Sequence, residues 1–407
     1  MSYLDYLKVK ESPTEILTRK TALYSLFDRI GQELEMPAAR YQEATKRFQS
    51  VSDWLHECPV LGHFNPNMFA QGSFALGTTV RPLHGDEYDL DFIGHLQDAH
   101  PRHYTQQQIY DLFLQRLKAH AGYAEMVEMM KRCVRIGYAN EFHLDITPAV
   151  SNPVYSQGSL FVPDRKLNTW KDSHPKGYVT WFEKIAVLKP RFSHLSKSFS
   201  EGRHVALGTT EPVPDQNTFR GILRRTVQVM KRHRDTYREK HPAVADFAPI
   251  SIIITTLATH AYELAVGLGE YDSEFDLMNA VVNLMPRFIE GPDLKGAYTV
   301  KNPTNAGENF ADKWGSNPKY YLVFSEWHRA VQRDLMTLES IHGQDDLRKS
   351  LQGSLGAPEV DRVFSNQMQQ LNQARQQGRV SIPRSVQAGV AAAAAIPVPR
   401  NTFYGRS

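Results

Sequence analysis

Cysteine is nearly missing from this chain: Cys58 and Cys133 are its only two in 407 residues. Two isolated thiols support neither a disulfide framework nor a zinc cluster, so a reducing cytoplasm is the default expectation. Uninterrupted apolar runs are scarce too. The longest, ISIIITTLATHAYELAVGL, carries His260 and Glu263 inside it and reads as a buried helix rather than a membrane span. The opening stretch MSYLDYLKVKESPTE mixes acids with lysines and has no apolar centre, so no secretory leader is expected. From Asn366 onward acids and lysines disappear, leaving Arg375, Arg379, Arg384, Arg400 and Arg406. The rest of the chain holds 42 basic and 44 acidic residues, a charge of −2. Such a body lacks the basic footprint that long nucleic acid requires, and no stable complex with one is expected.

What is present has the makeup of a globular protein, 41% hydrophobic and 22% charged, with room for two domains. Residues 14–57 show a helical pattern. Short strands follow in NMFAQ, TTVRPL and YDLDFIGHL, with HGDE as a hairpin turn between the last two. TQQQIYDLFLQRLKAH places Ile109, Leu112 and Leu117 near helical spacing, and KRCVRIGYA and EFHLDITPAV read as two more strands. This is an α+β pattern with a mixed sheet. After about residue 200 the chain turns helical. FRGILRRTVQVMKRHRDTYREK sets Leu223, Val227 and Met230 on one face and stops at His241-Pro242. Further helices are predicted over 250–267, 273–288 and 309–338. The expected organisation is a first domain over 1–200 including the N-terminal helix, a helical domain over 201–365, and a disordered basic tail over 366–407.

The chemistry concentrates in QGSFALGTTVRPLHGDEYDLDF, residues 71–92. Asp89 and Asp91 lie two apart in an apolar strand, so both carboxylates stand on one face. Two like charges that close, partly stripped of water, call for a positive group between them. Asp145, flanked by Leu144 and Ile146, shares the oddity. Three carboxylates on neighbouring strands suit hard divalent cations such as Mg²⁺. Two such ions stabilise the attacking and leaving oxygens of a phosphoryl displacement. Upstream, Gly72-Ser73 supplies close backbone approach and a hydroxyl, both suited to phosphate.

Taken together, GSFALGTT, YDLDF and FHLDITPAV resemble the Gly-Ser, Asp-x-Asp and third-strand Asp signature of polymerase-β superfamily nucleotidyltransferases. NTWKDSHPKGYVTWF, LRRTVQVMKRHRD, PISIIITTLA and NPTNAGENFADKW extend the resemblance over roughly residues 15–365 to the CD-NTase family. These are the cGAS/DncV-like bacterial enzymes of CBASS antiphage systems. The resemblance implies a polymerase-β-type core plus a C-terminal helical domain, with the active site in the cleft between them. It implies synthesis of a cyclic di- or trinucleotide messenger from nucleoside triphosphates, ATP among them. Asp89, Asp91 and Asp145 would be the catalytic metal ligands, holding two Mg²⁺ ions for which Mn²⁺ would substitute. Gly72, Ser73, Lys231 and Ser251 would bind nucleotide, with Lys231 on the donor triphosphate. Implied partners are ubiquitin-transferase-like or HORMA-type regulators and a downstream effector that binds the product, although the ending Arg406-Ser407 departs from the small-residue terminus of chains handled that way. Alternatives are a nucleotidyltransferase that modifies RNA or protein, or a non-catalytic nucleotide sensor. Arg232 and Arg234 stay unassigned. Trp170, Tyr178, Trp181 and Phe182 suit a buried helix face, His143 a satisfied strand histidine, and Asn302-Pro303 a turn.

Overall fold

The computed structural model describes residues 11–407 except 85–86, 140, 155–157, 166–167, 194–220, 377–380, 383–395 and 398–407. Two helices open it, α1 (Pro13–Leu34) and α2 (Ala38–His56). Ser12 starts α1 through a capping box with Glu15, and Pro13 occupies the first turn, where no amide is needed. The one-turn α3 (Pro59–Gly62) leads to β1 (Pro66–Ala70), the short α4 (Gly72–Leu76) and β2 (Tyr88–Leu96). Then come α5 (Gln106–Lys118), β3 (Val127–Met129), β4 (Val134–Tyr138), β5 (Phe142–Ser151), β6 (Leu160–Asp164) and β7 (Thr169–Ser173).

These strands form one mixed sheet in the order β1-β2-β5-β4-β3, with β6 and β7 continuing from the end of β5. The β2–β5 pair is parallel and the others are antiparallel. Strand alternation sorts the side chains. Tyr88, Leu90, Phe92, Val134, Ile136, Phe142, Leu144 and Ile146 pack against Phe48 and Leu55 of α2 and Ile109 and Phe113 of α5. The residues between them point to the opposite face, which carries the chemistry.

A second apolar core is built from α6 (Pro175–Ala186), α7 (Ile222–Lys240), α8 (Ser251–Leu268), α9 (Glu274–Leu284), α10 (Lys319–Ser340), α11 (Gln344–Leu355) and α12 (Ala357–Gln376). Leu23, Phe27, Ile30 and Leu34 of α1 belong to this core as well, so the N-terminal helix packs with the late helices rather than with the sheet. α8 is long and apolar enough to cross a membrane, yet Ile253, Leu257, Ala261 and Ala265 are buried in this core. α7 runs through the middle of the molecule, with Arg224, Gln228, Lys231, Arg232 and Arg234 buried along with its apolar face.

Several expectations need correction. TTVRPL is not a strand. Its backbone is spent elsewhere: the Thr78 amide donates to the Ser73 carbonyl and the Arg81 amide to the Leu34 carbonyl. Its carbonyls accept from α7, where Gln228 reaches Thr79 and Lys231 reaches Thr78. Arg224 holds the preceding Leu76 carbonyl in the same way. The segment is a strap docked on one face of α7, because 224, 228 and 231 recur at helical spacing. HGDE therefore joins no hairpin, and its Gly85 and Asp86 lie outside the described residues. The helix predicted from 309 begins at Lys319, since Asn305–Asn309 form a short strand paired with Lys301–Asn302. Trp170 sits on β7, whereas Tyr178 and Phe182 are buried on α6. The tail predicted from 366 begins inside α12, which continues to Gln376, and Ser381–Ile382 pairs with Ile396–Pro397. The rest of the tail lies outside the described residues.

Candidate active site

Strand register assembles the site. Asp91 of β2 is paired with Asp145 of β5, and Asp145 with Arg135 of β4, giving a row of three charged residues across three strands. The next row is Asp89, His143 and Gly137. Both rows face away from the apolar core, because every one of these residues sits between buried strand neighbours. At the end of β1 the Gln71 amide donates to the Asp91 carbonyl (2.9 Å), which hooks the start of α4 over β2. Gly72 then adopts φ +61°, and a Cβ there would stand 2.6 Å from Asp91 Oδ2. Only glycine fits, on both counts.

All seven nucleotide- and metal-binding candidates meet in one cleft. Gly72, Ser73, Asp89, Asp91, Asp145, Lys231 and Ser251 line an open cleft of about 800 Å³ between the sheet, α7 and the start of α8. That is the size of a pocket for a small molecule such as a nucleotide, about 300–1,000 Å³. Lys231 is buried and donates from Nζ to the Thr78 carbonyl at 2.7 Å. Ser251 opens α8, and its hydroxyl accepts from Arg234 at 3.2 Å.

A model of the Second Messenger Oligonucleotide or Dinucleotide Synthetase domain matches residues 22–185. A c-di-GMP synthase of Roseivirga ehrenbergii is 28% identical over 387 residues, 95% of this chain and 98% of that protein. The cyclic dinucleotide synthase CdnG of Bradyrhizobium diazoefficiens is 25% identical over 365 residues, 84% of this chain and 82% of its own length. The solved structure of CdnG from that organism in complex with GTP superposes with a TM-score of 0.61 at 18% identity, covering 84% of this chain and 97% of that one. The synthetase domain thus matches residues 22–185, the fold over most of the chain is that of CdnG, and the chain resembles the CD-NTase family. It is a nucleotidyltransferase with a polymerase-β-type core.

The cleft is electrostatically uneven. Burial, then the charges of Asp145 and Asp89, push the half-buried Asp91 carboxyl up to about 7. Asp89 is also raised, chiefly by burial. Burial, with Arg234 nearby, pulls Lys231 down to about 7. Such an unbalanced set of oxygen donors fits a hard divalent cation. Among the described residues, however, no three His, Cys, Asp or Glu side chains are arranged as a ready metal cage. Arg135 lies among these carboxylates. Its Nε and Nη2 donate to the two oxygens of Asp145 (2.7 and 2.8 Å), and Nη2 also reaches Asp89 Oδ1 (3.0 Å).

Arg135 is the residue of this site that sequence reasoning did not name. The signal was there: Arg135 lies between Val134 and Ile136, a charge in an apolar strand at the same parity as the aspartates. Arg234 likewise lines the cleft and is tied to the Pro249 carbonyl, while Arg232 points away to Glu359. His143 pairs with Glu87 at 2.8 Å, and Asn302 accepts from the Thr304 amide in its turn.

Proposed function

We propose that this enzyme joins nucleoside triphosphates, GTP first among them, into a cyclic dinucleotide. The observation that carries the reading is the in-register Asp91–Asp145 pair, with Gly72 pressed against Asp91 in a cleft that also holds Lys231. The names of the relatives, a c-di-GMP synthase and a cyclic dinucleotide synthase, support guanine nucleotides and a two-membered product. Asp89, Asp91 and Asp145 would hold two Mg²⁺ ions, with Mn²⁺ able to replace them. When bound, such ions lower the pKa of an attacking hydroxyl and neutralise the leaving phosphates. The chain's own groups do the rest. The α4 turn at Gly72-Ser73 brings backbone and a hydroxyl to the phosphates, and Lys231 meets them from α7. Ser251 adds a contact from the opposite wall. A ribose hydroxyl attacks the α-phosphorus of the donor, the α–β anhydride bond breaks, and pyrophosphate leaves. A second attack of the same kind closes the ring.

The setting we propose is a cytoplasmic antiphage signalling system. There the product binds an effector, and a HORMA-type or ubiquitin-transferase-like protein controls the synthase. The organisation we propose is a nucleotidyltransferase core and a helical domain with the active site between them. Incubation with each labelled nucleoside triphosphate and Mg²⁺ or Mn²⁺, followed by phosphatase, tests the activity. A phosphatase-resistant product from GTP supports it. Label transferred to RNA or to the protein itself would point instead to a macromolecule-modifying enzyme, and absence of any turnover to a sensor.

A further inference from the structure

Arg135 makes three charged hydrogen bonds within one cluster, two of them to Asp145 as a fork. It is not a surface pair of the kind that contributes little, because its side chain is 18% exposed and that of Asp145 is 11% exposed. Both Asp145 oxygens are taken, and one of Asp89's as well. A guanidinium cannot be deprotonated under working conditions, so the only way to free those oxygens is to move the side chain. The β4–β5 register forces the encounter, since Arg135 and Asp145 are direct cross-strand partners.

We propose that Arg135 is a built-in counter-cation for the carboxylate triad and competes with divalent ions for the same oxygens. Metal loading is then an exchange: the guanidinium leaves Asp145 and Asp89 as ions arrive. Asp91 accepts no hydrogen bond from Arg135, so it is the carboxylate open to a first ion. The inference rests on reading Asp89, Asp91 and Asp145 as the metal ligands, and its test separates the two.

The test is Mn²⁺ binding to the full-length protein without nucleotide, followed by the paramagnetic signal of free Mn²⁺. Wild type, Arg135→Gln, Arg135→Lys and Asp91→Asn are compared, with melting temperatures of the metal-free forms. Arg135→Gln is expected to bind Mn²⁺ about tenfold more tightly, the low end of what one charged hydrogen bond is worth, while its metal-free form melts lower. Arg135→Lys, which keeps the charge and loses the fork, falls between. A merely structural arginine would lower the melting temperature without tightening Mn²⁺; unchanged or weakened affinity in Arg135→Gln overturns the proposal. If wild type and Arg135→Gln bind no Mn²⁺ beyond the Asp91→Asn level, the metal-ligand reading fails and the exchange goes with it.

Discussion

Asp91 carries conflicting demands at the scale of one residue. It lies beside two other carboxylates, and the turn above it is compressed until only glycine fits. Its carboxyl, ordinarily near 3.8, is pushed up to about 7. Between those values the unfolded chain has released a proton that the folded chain keeps, so metal-free stability falls as pH rises through that window. Lys231, drawn from 10.5 down to about 7, works the other way, and its contribution recovers stability as pH climbs from 7 toward 10.5. Asp91→Asn should therefore abolish synthesis while stabilising the metal-free protein at pH 8 by on the order of 2 kcal/mol, with the gain gone at pH 4. Thermal melts at both pH values check this; an Asp91→Asn protein that melts lower than wild type at pH 8 would show the carboxylate to be structural. Gly72→Ala forces a Cβ into Asp91 and a strained φ, and is expected to cut kcat at least about tenfold, the effect of misplacing reacting groups, while leaving the chain folded by circular dichroism. Lys231→Ala should raise KM for GTP by about ten- to hundredfold, the worth of a charged hydrogen bond, with Lys231→Arg less damaged; unchanged kinetics would make Lys231 a mere fastener of the Thr78 strap.

The scale of elements shows where sequence reading succeeds and where it stops. The aspartate strands were legible because a carboxylate between Leu144 and Ile146, or beside Leu90, violates the alternation that a sheet imposes. The helices were legible from their period. The strap 78–83 was not, because its β-branched residues mimic a strand while its hydrogen bonds run to side chains of α7. The basic run on α7 was equally opaque, since charge there predicts a solvated face and the fold buries it. Arg232 is fully buried with Glu359 of α12 at 3.2 Å, and its nitrogens find no hydrogen-bond partner among the described residues. Glu359→Gln leaves that guanidinium uncompensated and should destabilise the protein by about 3–5 kcal/mol. The double change Arg232→Met with Glu359→Leu should recover most of it. Denaturant melts of the wild type and the two variants decide this, and a harmless single substitution would mean that the pair does not couple α7 to α12.

At the scale of the whole molecule the cleft is a product of two cores. The sheet supplies the carboxylates, and the helices that bury α1 supply Lys231 and Ser251. α12 closes the second core through Val360 and Val363, so a chain ended after residue 356 should lose much of its stability. One ended after Gln376 should keep its melting temperature and its synthesis in vitro. The most direct test of the central claim, that these two cores together make a cyclic dinucleotide synthase, is a mass spectrum of the nucleotides formed from GTP and Mg²⁺ by wild type and by Asp91→Asn. The account predicts a phosphatase-resistant species with the mass of two guanylates joined without terminal phosphates, from the wild type alone. The same species from Asp91→Asn would refute the assignment of the site; linear, phosphatase-sensitive products alone would contradict ring closure.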